Sequence, residues 1–472
     1  MTSRLKELRV YGLFGLYNHV IPFHLDDRIT AIIGPNGFGK TACLKIIEAF
    51  FRRNYSYWLN IPFDRILFEF TGGEEVEISS DSTGEDQPAR AESTGAWGRP
   101  KKSVSFRISV PSHAPMVWRP AALTASSRPF RELSRVLPHM RNVGPDEWID
   151  RRDGEEITTA DLIARYGRTI PPKLLDALKG DEPEMLRHLL SGIECHLIET
   201  QRLLVLPGST AGQAIEEEEF DWSGPARKSS SPLAVQQKAS QLSQIIKNTL
   251  TEYAALSQSL DRSFPRRVLE SPLKGASRVP DTELRKELER LDERRKALMA
   301  AGILDTDFEP VTISFGSIDP GVARVLQIYV TDTDKKLTVF DRLRERLDVL
   351  KDLINRRFSD KSLRVNKERG FEIVSTTGRE VPLDKLSSGE QHQLILTFEL
   401  LFEVQKDSLI LIDEPELSLH VTWQKSFIDS LKRMIQLNGF DVVLATHSPP
   451  LVARHYGLTV ELGPVDEQDQ LV

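Results

Sequence analysis

The chain has 472 residues, 40% of them hydrophobic and 28% charged, with a formal net charge of -7. That length exceeds one ordinary core and calls for one large or two moderate domains, while the net acidity argues against a protein that coats nucleic acid through bulk charge. No apolar run approaches the roughly 18–20 residues needed to span a bilayer. Met1 to Val10 lacks the layout of a secretory signal, and the two cysteines, Cys43 and Cys195, suit a reducing compartment as buried thiols. The expectation is a cytoplasmic protein without membrane association.

Taken in chain order, Leu5 to Val10 and Ile29 to Ile33 read as short strands. The second runs into a glycine-rich turn and an amphipathic helix from Lys40 to about Phe51. Ile66 to Phe70, Glu75 to Ile78, Val104 to Val110 and Pro115 to Trp118 follow as pieces of an antiparallel sheet, interrupted by a polar loop from Ser79 to Gly98. From about Pro120 to Ala301 the pattern is mainly helical and carries no catalytic signature. Its clearest helix is Thr282 to Ala301, capped by Asp281, with Leu284, Leu288, Leu291 and Leu298 spaced for a short hairpin, an interface helix or a coiled-coil seam. Glu216 to Ser231 reads as a solvated linker.

The last part returns to α/β pattern. A loop over Leu386 to Gln391 leads into a helix, then a buried strand (Leu409 to Ile412), an amphipathic helix with Trp423, Phe427 and Leu431 ending at Gly439, and a final buried strand (Val442 to Ala445). Both chain ends are therefore expected to build one sheet. The expected layout is an N-terminal half (1–119), a mainly helical insertion (120–310) and a C-terminal half (311–472).

Four motifs carry chemistry. Gly34-Pro35-Asn36-Gly37-Phe38-Gly39-Lys40-Thr41 fits the phosphate-loop pattern, in a strand–turn–helix context. Gly34, Asn36, Gly37 and Gly39 let backbone N–H groups wrap a phosphate, Lys40 reaches its oxygens, and the Thr41 hydroxyl suits Mg²⁺. Leu409 to Glu414 is a buried strand that ends in two carboxylates: Asp413 for the metal and Glu414 to polarise an attacking water. Ser387 and Gly389, in Leu386 to Gln391, form a helix-start anion site or simply a helix cap. His447 sits at the end of the last buried strand, where it could sense a γ-phosphate.

These motifs and their order resemble the ABC ATPase superfamily, and Asp413-Glu414-Pro415-Glu416-Leu417-Ser418-Leu419-His420 is similar to the form in SMC-like and OLD-like ATPases. The resemblance implies an ABC ATPase (P-loop) head with an antiparallel β lobe and a helical insertion, and ATP and Mg²⁺ as cofactors. It makes Lys40 and Thr41 Walker A, Asp413 and Glu414 Walker B, Ser387 to Gln391 the signature, Glu416 to His420 the D-loop and His447 the switch histidine. It also implies a glutamine that contacts Mg²⁺ and water, for which Gln201 is the candidate. The stretch between Lys40 and Ser387 is too long for a transporter domain and too short for the arms of chromosomal SMC proteins. An insertion of this size resembles the ATPase subunits of bacterial antiviral-defence systems, the PtuA subunit of Septu and the AriA subunit of PARIS.

From that resemblance follow a homodimer or higher oligomer through ATP-bound heads, and a separate nuclease or effector of HNH or Toprim class. The segment after His447 is too short for a Toprim domain. A DNA or phage-derived trigger is also implied. Two other classes stay open: a genome-maintenance ATPase that grips DNA directly, and a nucleotide-binding scaffold with little turnover. Local basic clusters (Arg356, Arg357, Lys361, Arg364, Lys367, Arg369; and Arg99, Lys101, Lys102) read first as solvated faces. Asp305 with Asp307 and Asp332 with Asp334 have metal-site spacing but are expected to be helix caps or loops.

Overall fold

A computed structural model of the chain describes residues 3–55, 57–81, 103–111, 113–120, 128–143, 147–152, 156–166, 169–171, 173–174, 182–199, 231–270, 280–304, 318–418 and 421–463. It divides into two compact units, Met1–Ile215 with Val404–Val472, and Glu216–Glu403.

In the first unit a five-stranded parallel sheet has continuous apolar runs as its three central strands, buried as such runs require. Ile29–Ile33 lies between Asp441–Thr446 and Thr459–Glu461; beyond Asp441–Thr446 come Leu409–Asp413 and then Cys195–Glu199. Residues from both ends of the chain thus build one sheet. The alternating segments form a six-stranded antiparallel sheet in the order Tyr17–Pro22, Leu5–Leu13, Arg65–Phe70, Glu75–Asp81, Ser103–Ser109, Met116–Trp118. One core joins the Lys40–Phe51 helix to both sheets, with Phe50 stacked on Phe68 at 4.0 Å. Cys43 and Cys195 are buried free thiols.

The structure corrects several expectations. Ser79 and Ser80 belong to a strand, because they pair on both sides with Arg65, Ser105 and Val104; backbone hydrogen bonding overrides the polar side chains there. Among the described residues the middle of the chain is mainly helical, as its pattern suggests, but not wholly so. It contains a small lobe of three antiparallel strands (Met140–Asn142, Glu147–Asp150, Glu156–Thr158) around Phe130, Leu133, Trp148 and Leu162. It also supplies the edge strand Cys195–Glu199. Strands of three to five residues carry too few alternations to be read from period alone.

In the second unit the leucine seam is internal. Helix Asp281–Ala300 buries Leu284, Leu288, Leu291 and Leu298, and packs on helix Pro320–Thr338. Pro280, not Asp281, holds the cap position; the Asp281 carboxylate instead accepts the Ile318 N–H at 3.0 Å. Asp332 and Asp334 lie inside a helix and are neither caps nor loops: Arg267 grips the first, and Arg290 and Arg294 grip the second. A 40-residue helix, Ser231–Glu270, packs on a three-stranded sheet (Lys361–Asn366, Gly370–Ser375, Glu380–Val381) and on helix Ser388–Phe398. The Arg356 cluster is largely neutralised: Asp352, Glu390 and Glu380 pair with Arg356, Lys361 and Arg369, and Arg357 is buried. Arg99, Lys101, Lys102, Asp305, Asp307 and the Glu216 segment lie outside the described residues. Among the described residues no helix is long and apolar enough to cross a membrane.

Candidate functional site

The turn after Ile29–Ile33 folds as it does because its glycines permit what side chains would not. Gly34 has φ +154°, and a Cβ there would stand 2.5 Å from the Leu462 carbonyl oxygen; Gly39, at φ +84°, would bring a Cβ 2.9 Å from Leu13. The loop closes over the Lys40 ammonium, whose Nζ donates to the carbonyls of Gly34 (2.8 Å) and Pro35 (2.9 Å). Asn36, Gly37, Gly39, Lys40 and Thr41 line an open cleft of about 590 Å³, together with Glu414, Phe14, Tyr57 and Asn60.

Parallel pairing brings the strand tips to this loop. Thr41 Oγ1 donates to Asp413 Oδ1 at 3.1 Å. The next residue, Glu414, adopts φ +47°, unusual for a residue with a side chain. Its N–H donates to Ala445 of the neighbouring strand at 2.9 Å, which pins the strained bend. His447 follows that neighbouring strand, with Nδ1 3.8 Å from Glu414 and 3.1 Å from Glu416.

Glu416, which the motif reading assigned only to the D-loop, reaches the histidine. Its side chain is 5% exposed; Oε1 accepts the His447 backbone N–H at 2.8 Å and lies 3.1 Å from ring Nδ1. Gln424 extends the chain: its amide donates to the Glu416 carbonyl at 3.3 Å and its oxygen accepts from Ser448 at 2.8 Å. The spacing of Glu416 from Glu414 offered a signal, but only the second strand shows what the carboxylate holds. Pro415–Ser418 forms one 3₁₀ turn; Leu419 and His420 lie outside the described residues. Gln201 does too, although the strand before it ends with Glu199 in register with Asp413.

Among the described residues no group of three or more His, Cys, Asp or Glu side chains could hold a metal. Mg²⁺ beside phosphates does not need such a cage, since it keeps waters and takes phosphate oxygens alongside one or two protein ligands. The hydroxyl of Thr41 and carboxylate of Asp413 are hard oxygen donors in contact with each other at the cleft, and they fit that requirement.

In the second unit Ser387 caps helix Ser388–Phe398. Its hydroxyl accepts from Glu390 N while the Glu390 carboxylate accepts from Ser387 N at 2.8 Å, a complete capping box. Lys361 clamps the same carboxylate at 2.7 Å. Burial would push the Glu390 carboxyl up, but the Lys361 and Ser387 hydrogen bonds outweigh it and hold the group below its ordinary value. Ser387 and Ser388 are exposed and Gly389 is half-buried.

The parallel sheet, with a phosphate-loop motif on one strand and acidic and histidine tips on its neighbours, has the α/β arrangement expected of an ABC-type P-loop head. A family described as "AAA domain, putative AbiEii toxin, Type IV TA system" matches residues 225–453, a span that takes in Ser387, Asp413, Glu414 and His447. Two relatives, each a "Probable iron chelatin transport ATP-binding protein" from Helicobacter pylori (strains 26695 and J99), are 34% identical over 73 residues, 16% of this chain. The match spans 28% of those relatives' length. Among solved structures, the Smc head domain with an extended coiled coil bound to the C-terminal domain of ScpA from Pyrococcus furiosus aligns at 13% identity, covering 98% of this chain and 94% of that one, with a TM-score of 0.31. The SMC head domain from Thermotoga maritima aligns at 12%, covering 95% and 91%, with a TM-score of 0.29. At those scores the alignments add nothing to the fold this chain displays.

Proposed function

We propose that the chain binds and hydrolyses ATP as the ATPase subunit of a prokaryotic antiviral defence complex, in which ATP-bound heads pair and regulate a separate nuclease or effector. The observation that carries the nucleotide reading is the 3.1 Å contact with Asp413 made by Thr41, which lines a cleft with Lys40 and Glu414. Glycine-loop N–H groups and Lys40 meet the phosphate charge. Mg²⁺ held by Thr41 and Asp413, with Gln201 as a further candidate, would neutralise charge on the transferring phosphoryl group. Glu414 accepts a proton from the attacking water, and its bend at φ +47° directs the carboxylate into the cleft. Glu416 Oε1 lies 3.1 Å from His447 Nδ1, which leaves Nε2 to meet the γ-phosphate.

The capped helix start at Ser387 and Gly389, with Ser387 exposed, is the surface for a phosphate carried by a second copy, so that ATP joins two protomers. The description of the matching family, a putative toxin of a type IV toxin–antitoxin system, is in keeping with a defence role and a partner chain. The paired state of Arg356, Lys361 and Arg369 lends no support to direct DNA gripping through that cluster.

Phosphate release and size by light scattering, with and without Mg-ATP, test the first part. Glu414→Gln should lose about 10²-fold or more in turnover and accumulate an ATP-dependent dimer, and Ser387→Arg should abolish that dimer while each protomer still binds ATP. Turnover unchanged in Glu414→Gln rejects the assignment. Affinity capture from the native host tests the second part: a co-purifying HNH or Toprim nuclease supports the defence complex, and capture of repair proteins alone argues for genome maintenance.

A further inference from the structure

The Tyr17–Pro22 strand alternates, which turns Tyr17, His19 and Ile21 to one face. His19 is 3% exposed, and its Nε2 lies 2.9 Å from the backbone carbonyl of Phe38, in the middle of the phosphate loop. A carbonyl oxygen can only accept, so Nε2 carries the proton and donates. Burial lowers the affinity of the ring for a second proton, in keeping with a neutral imidazole. The ring is held flat against Tyr17, with centroids 5.8 Å apart and planes within 12°, and Tyr17 in turn packs on the Phe38 ring at 5.3 Å. One strand therefore grips the loop twice, by the Phe38 side chain and by its carbonyl.

The peptide between Phe38 and Gly39 is trans, like every peptide among the described residues, so its C=O and N–H point in opposite directions. A carbonyl drawn to His19 turns the Gly39 N–H away from the strand. Gly39 lines the cleft beside Lys40 and Thr41. The loop around it, with glycines at φ +88° (Gly37) and +84° (Gly39), has many alternative backbone states to lose on binding an anion. An anchor at Phe38 removes part of that cost before the ligand arrives.

We propose that His19 is a positioning residue of the phosphate loop, holding the Phe38 carbonyl so that the Gly39 N–H is directed at the phosphate chain of a nucleotide. The ligand class is the diphosphate portion common to ATP and ADP, and the proposal rests on the nucleotide reading above. His19 touches no phosphate itself.

The test is isothermal titration of the full chain with Mg-ATP and Mg-ADP, for wild type, His19→Phe, His19→Gln and Lys40→Ala, alongside melting curves without nucleotide. His19→Phe keeps a ring against Tyr17 but has no N–H, and should weaken both nucleotides alike, about fivefold or more, with melting close to wild type. His19→Gln places an amide N–H near the same point and should recover affinity to within about twofold. Should His19→Phe fail to fold, His19→Met fills the space without a donor and takes its place. Wild-type affinity in the donorless variant overturns the proposal, and so does equal weakening in the Gln variant, which would assign the effect to ring packing. If the wild type binds as poorly as Lys40→Ala, the nucleotide reading itself falls, and this proposal with it.

Discussion

Thr41 Oγ1 donates to Asp413 Oδ1 at 3.1 Å across 372 positions of sequence. Two oxygens so placed would suit a cation that completes its shell from phosphates and water. Thr41→Val and Asp413→Asn should therefore cost affinity for ATP in the presence of Mg²⁺ and change it little in EDTA. Titration calorimetry under both conditions checks this, and equal loss in EDTA would reject a metal role.

Glu416 joins the backbone and the ring of His447 through one oxygen. Removing it frees the ring and leaves the His447 N–H without its acceptor. Glu416→Ala should retain ATP binding and lose about 10- to 100-fold in turnover, the range that corresponds to a lost hydrogen bond of about 1.5–3 kcal/mol to a charged group. Glu416→Ala combined with His447→Ala should cost little more than either alone, because both act on the same ring. Steady-state phosphate release on the four proteins completes that cycle.

A buried charge cluster gives the second unit a pH dependence. Lys238 lies 2.9 Å from Glu399 and 2.7 Å from Glu403, one cation for two carboxylates. Burial pushes the Glu399 carboxyl up to about 7, against the opposing pull of Lys238. A carboxyl raised in the folded state contributes its full stability below the unfolded value of 4.5, and loses it as pH rises through 7. Stability should fall across that window by an amount on the order of 3 kcal/mol at most. Glu399→Gln should flatten the slope, whereas Lys238→Met should destabilise at neutral pH by about 3 kcal/mol or more. Melting temperatures from pH 5 to 8 check both.

The thiols give the simplest control on packing. Burial pushes Cys43 up to about 12 and raises Cys195 as well. Neither thiolate forms near neutral pH, and neither sulfur is accessible. Ellman's reagent at pH 8 should detect no thiol in the native protein and both after denaturation. A fast-reacting native thiol would contradict the packing of the Lys40–Phe51 helix.

Much of the site was legible in the residues because its motifs are local. Gly34 to Thr41 carry the whole phosphate-loop pattern within eight residues, between a strand and a helix. Leu409 to Glu414 must end in solvent-facing acids once its apolar run is buried. The short strands of the middle were not legible, since three residues such as Met140 to Asn142 carry no period and are strands only because neighbours accept their hydrogen bonds. The same holds for Ser79 and Ser80, whose polarity reads as loop until both flanking strands are present. Asp332 and Asp334 had the spacing of metal ligands, and only the arginines of neighbouring helices show that their charge is spent.

The sequence by itself determined the chemistry: a phosphate loop, two carboxylates, a signature turn and a histidine, each encoded within about eight consecutive residues. Tertiary structure alone decided which of these meet. Strand order brought Asp413 to Thr41, set Glu416 beneath His447, and turned His19 toward Phe38. The first depends on parallel pairing between segments hundreds of residues apart, the second on the parallel pairing of neighbouring strands and the third on an antiparallel sheet, and such pairing is specified by the burial of whole strands, not by any residue in the motifs it aligns.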